Sequence, residues 1–283
     1  MKRASFFVLF ISLIGCSCAL QQRATFHPSA SSPAVESKAP KNSAQVIHVF
    51  VALCDNVNQG IVPVAPTLGN GDDPQRNLYW GAAFGVKTFF DRNTDWQPVA
   101  INSSSSKSSS VVLDRVAYKY RKANAFLVAE AYRGLYLRQA TEDFLAAASG
   151  TPGESIAVSV NGIQMELQLG GSADVIAYAG HDGLMDFQLT SVPKKRDDQP
   201  RAAIILACAS KSYFADALRT TGAKPLLWTT NLMAPEAYIL SAAVDGWLNH
   251  ETDEQIRMRA AKAYDRYQHC GMKSANTLFA TGW

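Results

Sequence analysis

The sequence predicts an α/β domain arranged as a three-layer sandwich, in which helices cover both faces of a mostly parallel sheet. Two observations lead to this fold class. Short, continuously apolar runs recur along the chain, as expected of strands that are buried on both faces, and helical patterns lie between most of them. The chain has 283 residues, of which 47% are hydrophobic and 18% charged, so it is long enough to bury one large core.

The predicted strands begin with residues 46–53, whose β-branched sequence VIHVFVAL shows little polar alternation. A hairpin is predicted further along, because Asn161-Gly162 is a strong two-residue turn between two apolar runs. The other strands are expected at residues 111–120, 174–179, 202–207 and 225–229, and the two arms of the hairpin at 156–160 and 163–169.

The predicted helices are located by their capping residues and their apolar spacing. Asp73-Pro74 indicates an N-cap followed by a first-turn proline, and apolar residues at helical spacing continue to residue 90. Ser212 is expected to cap a helix that Gly222 closes. Further helices are predicted at residues 123–148, from Pro235 onwards, and at 251–267.

The N-terminus has the features of an export signal. Residues 1–15 combine the basic pair Lys2-Arg3 with an apolar stretch of signal-peptide length. The sequence LIGC that ends at Cys16 resembles the bacterial lipobox, which implies that Cys16 is diacylated and anchors the protein to a membrane. An ordinary secretory signal cut after Ala19 is the alternative. Ser17 in the position after the cysteine resembles the sorting pattern of outer-membrane lipoproteins, which implies the cell envelope as location.

The mature chain is predicted to have two parts. Residues 16–44 are rich in Ser, Ala, Pro and Gln and contain almost no large apolar side chains, so they are expected to form a flexible linker behind the lipidated cysteine. Residues 45–283 form the α/β domain. No stretch after the signal peptide reaches the roughly 18 apolar residues of a spanning helix, which excludes a multi-pass transporter.

Composition also limits the partners and cofactors. The net charge of +3 comes without a basic patch interleaved with aromatic residues, so nucleic-acid binding is not expected. No CxxC pair or zinc-type His/Cys spacing occurs, so we expect no metal and no other cofactor. Disulfide pairing among Cys18, Cys54 and Cys270 stays open, because spacing alone does not determine it.

The residues that follow the strands carry the candidate chemistry, since sites in such sheets form beyond the carboxyl ends of the strands. His181 follows the strand at 174–179, and Cys208 follows the strand at 202–207. Neighbouring strands lie about 4.8 Å apart, so the two side chains can meet at one edge. An imidazole can take the proton of a thiol and so activate it as a nucleophile. A helix that begins near Ser212 would further favour the thiolate.

Two segments resemble blocks of a known family. The segment ADVIAYAGHDGLMDF is similar to the block of the caspase-like (clan CD) cysteine peptidases in which a strand is followed by His-Gly. The segment RAAIILACASKSYF is similar to their Ala-Cys block. The elements that follow it come in the same order as in the CHAT-type members of the family. The resemblance implies a caspase-like domain, a peptide or protein substrate, His181 as general base and Cys208 as nucleophile. It also implies an oxyanion hole formed by the backbone N–H of Cys208 and that of Gly183 or Asp182.

The carboxylate of Asp55, which follows the first strand, is a candidate for binding a basic substrate side chain, as in family members that cut after Arg or Lys. The sequence also departs from the family, because Asp182 stands where glycine usually follows the histidine and no glutamine precedes Ala207-Cys208. Two functions therefore remain open. One is a lipid-anchored cysteine peptidase, and the other is a catalytically inactive caspase-like lipoprotein of the envelope that serves as a binding or scaffold module.

Overall fold

The computed structural model describes residues 44–102 and 109–283. The predicted signal peptide, Cys16 and the predicted linker up to residue 43 lie outside the described residues. Within the described ranges, no helix has both the length and the apolar character needed to span a bilayer.

Ten strands and six α-helices make up the described part of the chain. In chain order they are β1 (Gln45–Ala52), α1 (Val86–Arg92), β2 (Trp96–Ile101), β3 (Val112–Tyr120), β4 (Ala125–Tyr132), α2 (Leu137–Ala148), β5 (Pro152–Val160), β6 (Ile163–Gly170), β7 (Val175–Ala179), β8 (Ala202–Leu206), α3 (Ser210–Thr221), β9 (Lys224–Thr229), α4 (Ala237–Leu248), α5 (Asp253–Gln268), α6 (Met272–Leu278) and β10 (Phe279–Ala280).

All ten strands belong to one mixed sheet with the order β10-β9-β8-β7-β1-β4-β3-β2-β5-β6. The five strands from β9 to β4 run parallel to one another. The remaining pairs are antiparallel. The expectation of a mostly parallel sheet therefore holds for one half only. Short connections such as those of β3 to β4 and β5 to β6 leave no room for the dozen or more residues of a parallel crossover, which makes these pairs antiparallel.

Helices cover both faces of the sheet, and β1 shows how its residues are shared between them. Ile47, Val49 and Val51 face the layer that contains α1, α4 and α5. Val46 and Phe50 face the layer that contains α2 and α3. Because side chains alternate along a strand, a strand covered on both sides is apolar at nearly every position. The α/β class and the layered arrangement agree with the prediction from the sequence.

The helix predicted at residues 123–148 is wrong in its first part. Residues 125–132 form β4, between β1 and β3, and every residue of this strand is buried. The sequence AFLVAEAY contains good helix formers, but pairing with a strand on each side overrides this weak preference. The helix α2 begins only at Leu137, after a single 3-10 turn at Gly134–Tyr136.

The helix predicted from Asp73 is also wrong, because α1 begins only at Val86. The fully buried Asn77 holds the preceding segment in turns. Its Oδ1 accepts hydrogen bonds from the backbone N–H of Cys54 and of Tyr79, and its Nδ2 donates to the carbonyls of Cys54 and Asn70. This one side chain therefore ties the 70–79 segment to the end of β1, where the candidate site lies.

The remaining expectations differ in detail. The hairpin forms as predicted, with positive φ angles at both Asn161 and Gly162. Gly222 closes α3 at φ 81°, but the N-cap is Ala209 rather than Ser212. The strands β2 and β10 and the helix α6 were not predicted.

Candidate active site

His181 and Cys208 lie at the same edge of the sheet, beyond the ends of adjacent parallel strands. The last paired residues of β7 and β8 are Ala179 and Leu206, and His181 and Cys208 each follow two residues later. The chain turns sharply after β7 because Gly180 adopts φ 151°, and a Cβ there would lie 2.7 Å from the Ala52 carbonyl oxygen. Glycine at this position therefore allows the backbone that carries His181 to pass close to β1.

The imidazole of His181 is buried and oriented by a carboxylate. Its Nε2 lies 2.8 Å from Oδ2 of Asp186, and the same oxygen accepts a hydrogen bond from the backbone N–H of Gly60 at 2.9 Å. The Tyr178 hydroxyl donates to the His181 carbonyl oxygen, which fixes the backbone as well. Among the described residues the hydrogen bond of this ring is made through Nε2, so that Nδ1 is the nitrogen left to face a substrate or the thiol.

Asp186 is the functional residue that the sequence analysis missed. It lies five positions after His181, just beyond the 3-10 turn Gly183–Met185, and this turn brings its carboxylate back to the imidazole. Carboxylates orient catalytic imidazoles in many enzymes, but nothing in the spacing of five residues distinguishes Asp186 from an ordinary loop aspartate.

The Cys208 thiol is half-buried and contacts the loop that follows β9. Its Sγ lies 3.5 Å from the carbonyl oxygen of Met233 and 3.4 Å from the Met233 backbone nitrogen. Burial raises the pKa of the Cys208 thiol, and the nearby Asp182 raises it further. No hydrogen bond joins this thiol to the imidazole of His181 within the described residues. In the free protein the pKa of this thiol is therefore above its ordinary value.

Two backbone N–H groups at this edge, those of Gly183 and Cys208, are candidates for binding a developing oxyanion. Gly183 is the first residue of a 3-10 turn, where an N–H has no acceptor inside the turn. The N–H of Cys208 likewise has no acceptor among the described residues. The helix α3 begins two residues after Cys208, so its positive dipole end lies beside the thiol. These are the two residues predicted for the oxyanion hole.

Asp182, which replaces the expected glycine, has two distinct carboxylate oxygens. Oδ1 accepts a hydrogen bond from the backbone N–H of Leu184 and thereby caps the turn that carries Gly183. Oδ2 is buried and has no partner among the described residues. The side chain is fully buried, and this burial raises the pKa of Asp182 to about 7, with a further contribution from Asp186.

Asp55 lies at the same edge but its carboxylate is already engaged. Oδ1 accepts from the backbone N–H groups of Val57 and Asn58, and Oδ2 accepts from the Asn58 side chain. The residue is 5% exposed. These contacts fold the loop after β1 and engage both carboxylate oxygens, and the role of Asp55 in binding a basic side chain stays a prediction.

The three cysteines of the described residues, Cys54, Cys208 and Cys270, are all free. Cys54 lies at the end of β1, where burial raises the pKa of its thiol to about 11 and Tyr79 provides a hydrogen-bonding partner. Cys270 is exposed. No group of three or more His, Cys, Asp or Glu side chains in the described ranges could hold a metal ion.

Comparisons with known proteins identify no relative. No family model matches the chain, and neither a curated protein nor a solved structure matches it significantly. The function is therefore inferred from the geometry of the site.

Proposed function

We propose that the protein is a cysteine peptidase that hydrolyses peptide bonds with Cys208 as nucleophile and His181 as general base. One observation carries the proposal, namely that the two residues follow the same paired position of two adjacent parallel strands. A thiol and an imidazole are the groups that nucleophilic acyl transfer requires within reach of each other. The resemblance of both segments to the caspase-like peptidases supports the same assignment.

The chemistry follows from the contacts of each residue. His181 takes the proton of the thiol, and Sγ attacks the carbonyl carbon of the scissile peptide bond. The N–H groups of Cys208 and Gly183 bind the resulting oxyanion. The imidazolium then protonates the leaving amine as the C–N bond breaks, which leaves a thioester on Cys208. A water molecule, deprotonated by His181, hydrolyses this thioester and restores the free thiol.

Asp186 is a positioning residue in this scheme. Its Oδ2 lies 2.8 Å from Nε2 of His181. The carboxylate would therefore stabilise the imidazolium that forms when the thiol is deprotonated. The hydrogen bond to Gly60 fixes the carboxylate in turn. We further propose that the enzyme acts in the cell envelope, anchored through lipid on Cys16.

A second candidate function is that of an inactive envelope lipoprotein that binds a partner. The observation that favours it is the resting state of Cys208, whose thiol contacts the Met233 backbone and has a raised pKa. In this case the His181–Asp186 pair would serve only to hold the loops of this edge together.

The two functions are separated by a thiol-directed peptidyl acyloxymethyl ketone, which labels a cysteine peptidase only at an assembled site. We expect labelling of the wild-type protein, located to Cys208 by mass spectrometry, and its loss in Cys208→Ala. His181→Ala should slow labelling by at least about 10²-fold, the usual contribution of a positioned general base. Cys270, an exposed thiol in the same chain, is the internal control for non-specific reaction.

The peptidase assignment would be wrong if Cys208 reacted no faster than Cys270, or if His181→Ala left the rate unchanged. Either result would favour the binding module. Circular dichroism and thermal unfolding of each variant check that the substitution has not unfolded the protein.

A further inference from the structure

More than half of the large apolar side chains that are exposed in the described residues lie on loops at the edge that carries the candidate site. Large apolar residues are normally scattered on a soluble surface, and a concentration of them marks a place of binding. Five of those that the structure exposes lie on loops that follow the carboxyl ends of parallel strands: Val57 and Val62 after β1, Leu135 after β4, Met185 after β7, and Leu232 after β9.

Three of these side chains are neighbours in sequence of residues that contact the dyad. Leu232, 68% exposed, precedes Met233, whose backbone contacts the Cys208 thiol. Met185, 42% exposed, precedes Asp186, the partner of His181.

Val62, 88% exposed, follows two residues after Gly60, which donates to the Asp186 carboxylate. The apolar residues therefore lie on three different loops, each of which also carries a residue that contacts Cys208, His181 or Asp186. We call Val62, Met185 and Leu232 the apolar rim.

Three carboxylates of the same loops are buried or already engaged. Asp55 is engaged by the N–H groups and the side chain of its own loop. Asp186 is engaged by His181 and Gly60. Asp182 is fully buried. The exposed side chains of the apolar rim are aliphatic or, in Met185, a thioether, and none of them carries a charge.

From this arrangement we propose that the substrates are polypeptide segments with aliphatic or aromatic side chains on both sides of the cleaved bond, which pack against the apolar rim. The inference rests on the proposed peptidase function and specifies its substrate class. Exposed segments of this composition occur in unfolded or partly folded proteins, because folded proteins bury most of such side chains. The thioether of Met185 suits a surface that accepts several side-chain shapes.

The first experiment uses the full-length protein and a peptide library derived from a whole proteome. Wild type and Cys208→Ala are each incubated with the library, and the new peptide ends are identified by mass spectrometry. Cleavages that require Cys208 are expected to be enriched at least threefold in Leu, Ile, Val, Met or Phe within two positions of the cleaved bond.

The second experiment measures kcat and KM on the best apolar peptide with Leu232→Ser, Met185→Ser and Val62→Ser. Loss of one apolar contact is expected to reduce kcat/KM by about 5- to 50-fold, mainly through KM, since a hydrophobic contact binds substrate and transition state alike. Ile163→Ser is the matched control, because Ile163 is 67% exposed but lies at the tip of the remote β5–β6 hairpin. It should change nothing.

Two results would overturn the inference in distinguishable ways. Cleavage that requires Cys208 but prefers charged residues, or that is indifferent to the rim variants, would reject the apolar substrate class and leave the peptidase intact. The absence of any cleavage that requires Cys208 would reject the peptidase and the substrate class together.

Discussion

His181 and Cys208 occupy equivalent positions on neighbouring strands, each two residues beyond the last paired residue of β7 or β8. They are far apart in the sequence, so their proximity is produced by the sheet alone. The register of Ala179 with Leu206 places the starting points of both residues at the same level of the sheet. Placement on strand ends gives such residues a more rigid support than loops provide.

The first prediction concerns the contact between Asp186 and His181. In Asp186→Asn the amide oxygen can still accept from the imidazole and from Gly60, but the uncharged amide cannot stabilise an imidazolium as the carboxylate does. We expect kcat on any cleaved peptide to fall by about 10²-fold, the lower end of what a positioned general base contributes, while KM changes little. The measurement is kcat and KM as a function of pH.

Asp216→Asn is the control for this prediction, because Asp216 is exposed on α3 and pairs only with Arg219 in the described structure. An unchanged kcat and pH profile in Asp186→Asn would show that the carboxylate does not position the imidazole.

Asp182 makes the stability of the protein depend on pH. Burial raises the pKa of Asp182 to about 7 from an ordinary value of 3.8. The unfolded chain therefore loses this proton at lower pH than the folded protein, and the stability contributed by the protonated carboxyl is lost as pH rises from about 4 to about 7. The total loss is at most roughly 4 kcal/mol, the equivalent of three pKa units.

Asp182→Asn should remove this loss. Asn still provides Oδ1 to cap Leu184, and any cost of burying its amide is independent of pH. The free energy of unfolding, measured with urea at pH 4, 5.5, 7 and 8, should fall more with pH in the wild type than in the variant. Parallel curves for the two proteins would contradict the buried, protonated state of Asp182.

The three cysteines of the described residues should differ in their reaction with iodoacetamide, which reacts with thiolates. Cys270 is exposed and should react first. Cys208 should follow, because burial raises the pKa of its thiol. Cys54 should stay unmodified in the folded protein, since its pKa is about 11 and its side chain is inaccessible. Mass spectrometry at pH 8 gives the order, and rapid labelling of Cys54 in folded protein would disprove it.

The buried Asn77 leads to a prediction about the free energy of unfolding. Asn77→Ala leaves the backbone groups of Cys54, Asn70 and Tyr79 without the partners described above. We expect a loss of at least about 2 kcal/mol in unfolding free energy, because each unpaired buried group costs about 1–3 kcal/mol. Asn58→Ala, which removes one hydrogen bond at an exposed residue, should cost less than about 1 kcal/mol. Equal effects of the two substitutions in urea denaturation would refute the role of Asn77.

Four of the five strands of the parallel half (β1, β7, β8 and β9) could be predicted because their sequences admit one interpretation. Residues 46–53 and 202–207 are short, apolar and β-branched, and both are strands. The segment AFLVAEAY at 125–132 could not be assigned in this way, since its alanines, leucine and glutamate favour a helix in isolation. Only its neighbours β1 and β3 make it a strand. Asn77 likewise acts through contacts that its sequence position does not reveal.

The residues of the candidate site were predictable to the extent that they follow strands. His181, Gly183 and Cys208 were located from strand ends and from the resemblance, and the structure brings them to one edge of the sheet. Asp186 and the apolar rim were not predicted, because their proximity depends on how the 3-10 turn and the loops fold back. The dyad itself stays a prediction until Cys208 is tested.

The two-residue strand β10 affects how molecules of this protein can associate with one another. Phe279 and Ala280 pair with Thr229 and Trp228 and so cover the outer backbone groups of β9. Without β10, an apolar strand would present unpaired amides at the margin of the sheet, which is a template for cross-molecular association. We therefore expect the short C-terminal strand to limit association through this edge, and a chain that ends at Leu278 to precipitate where the intact one stays dispersed.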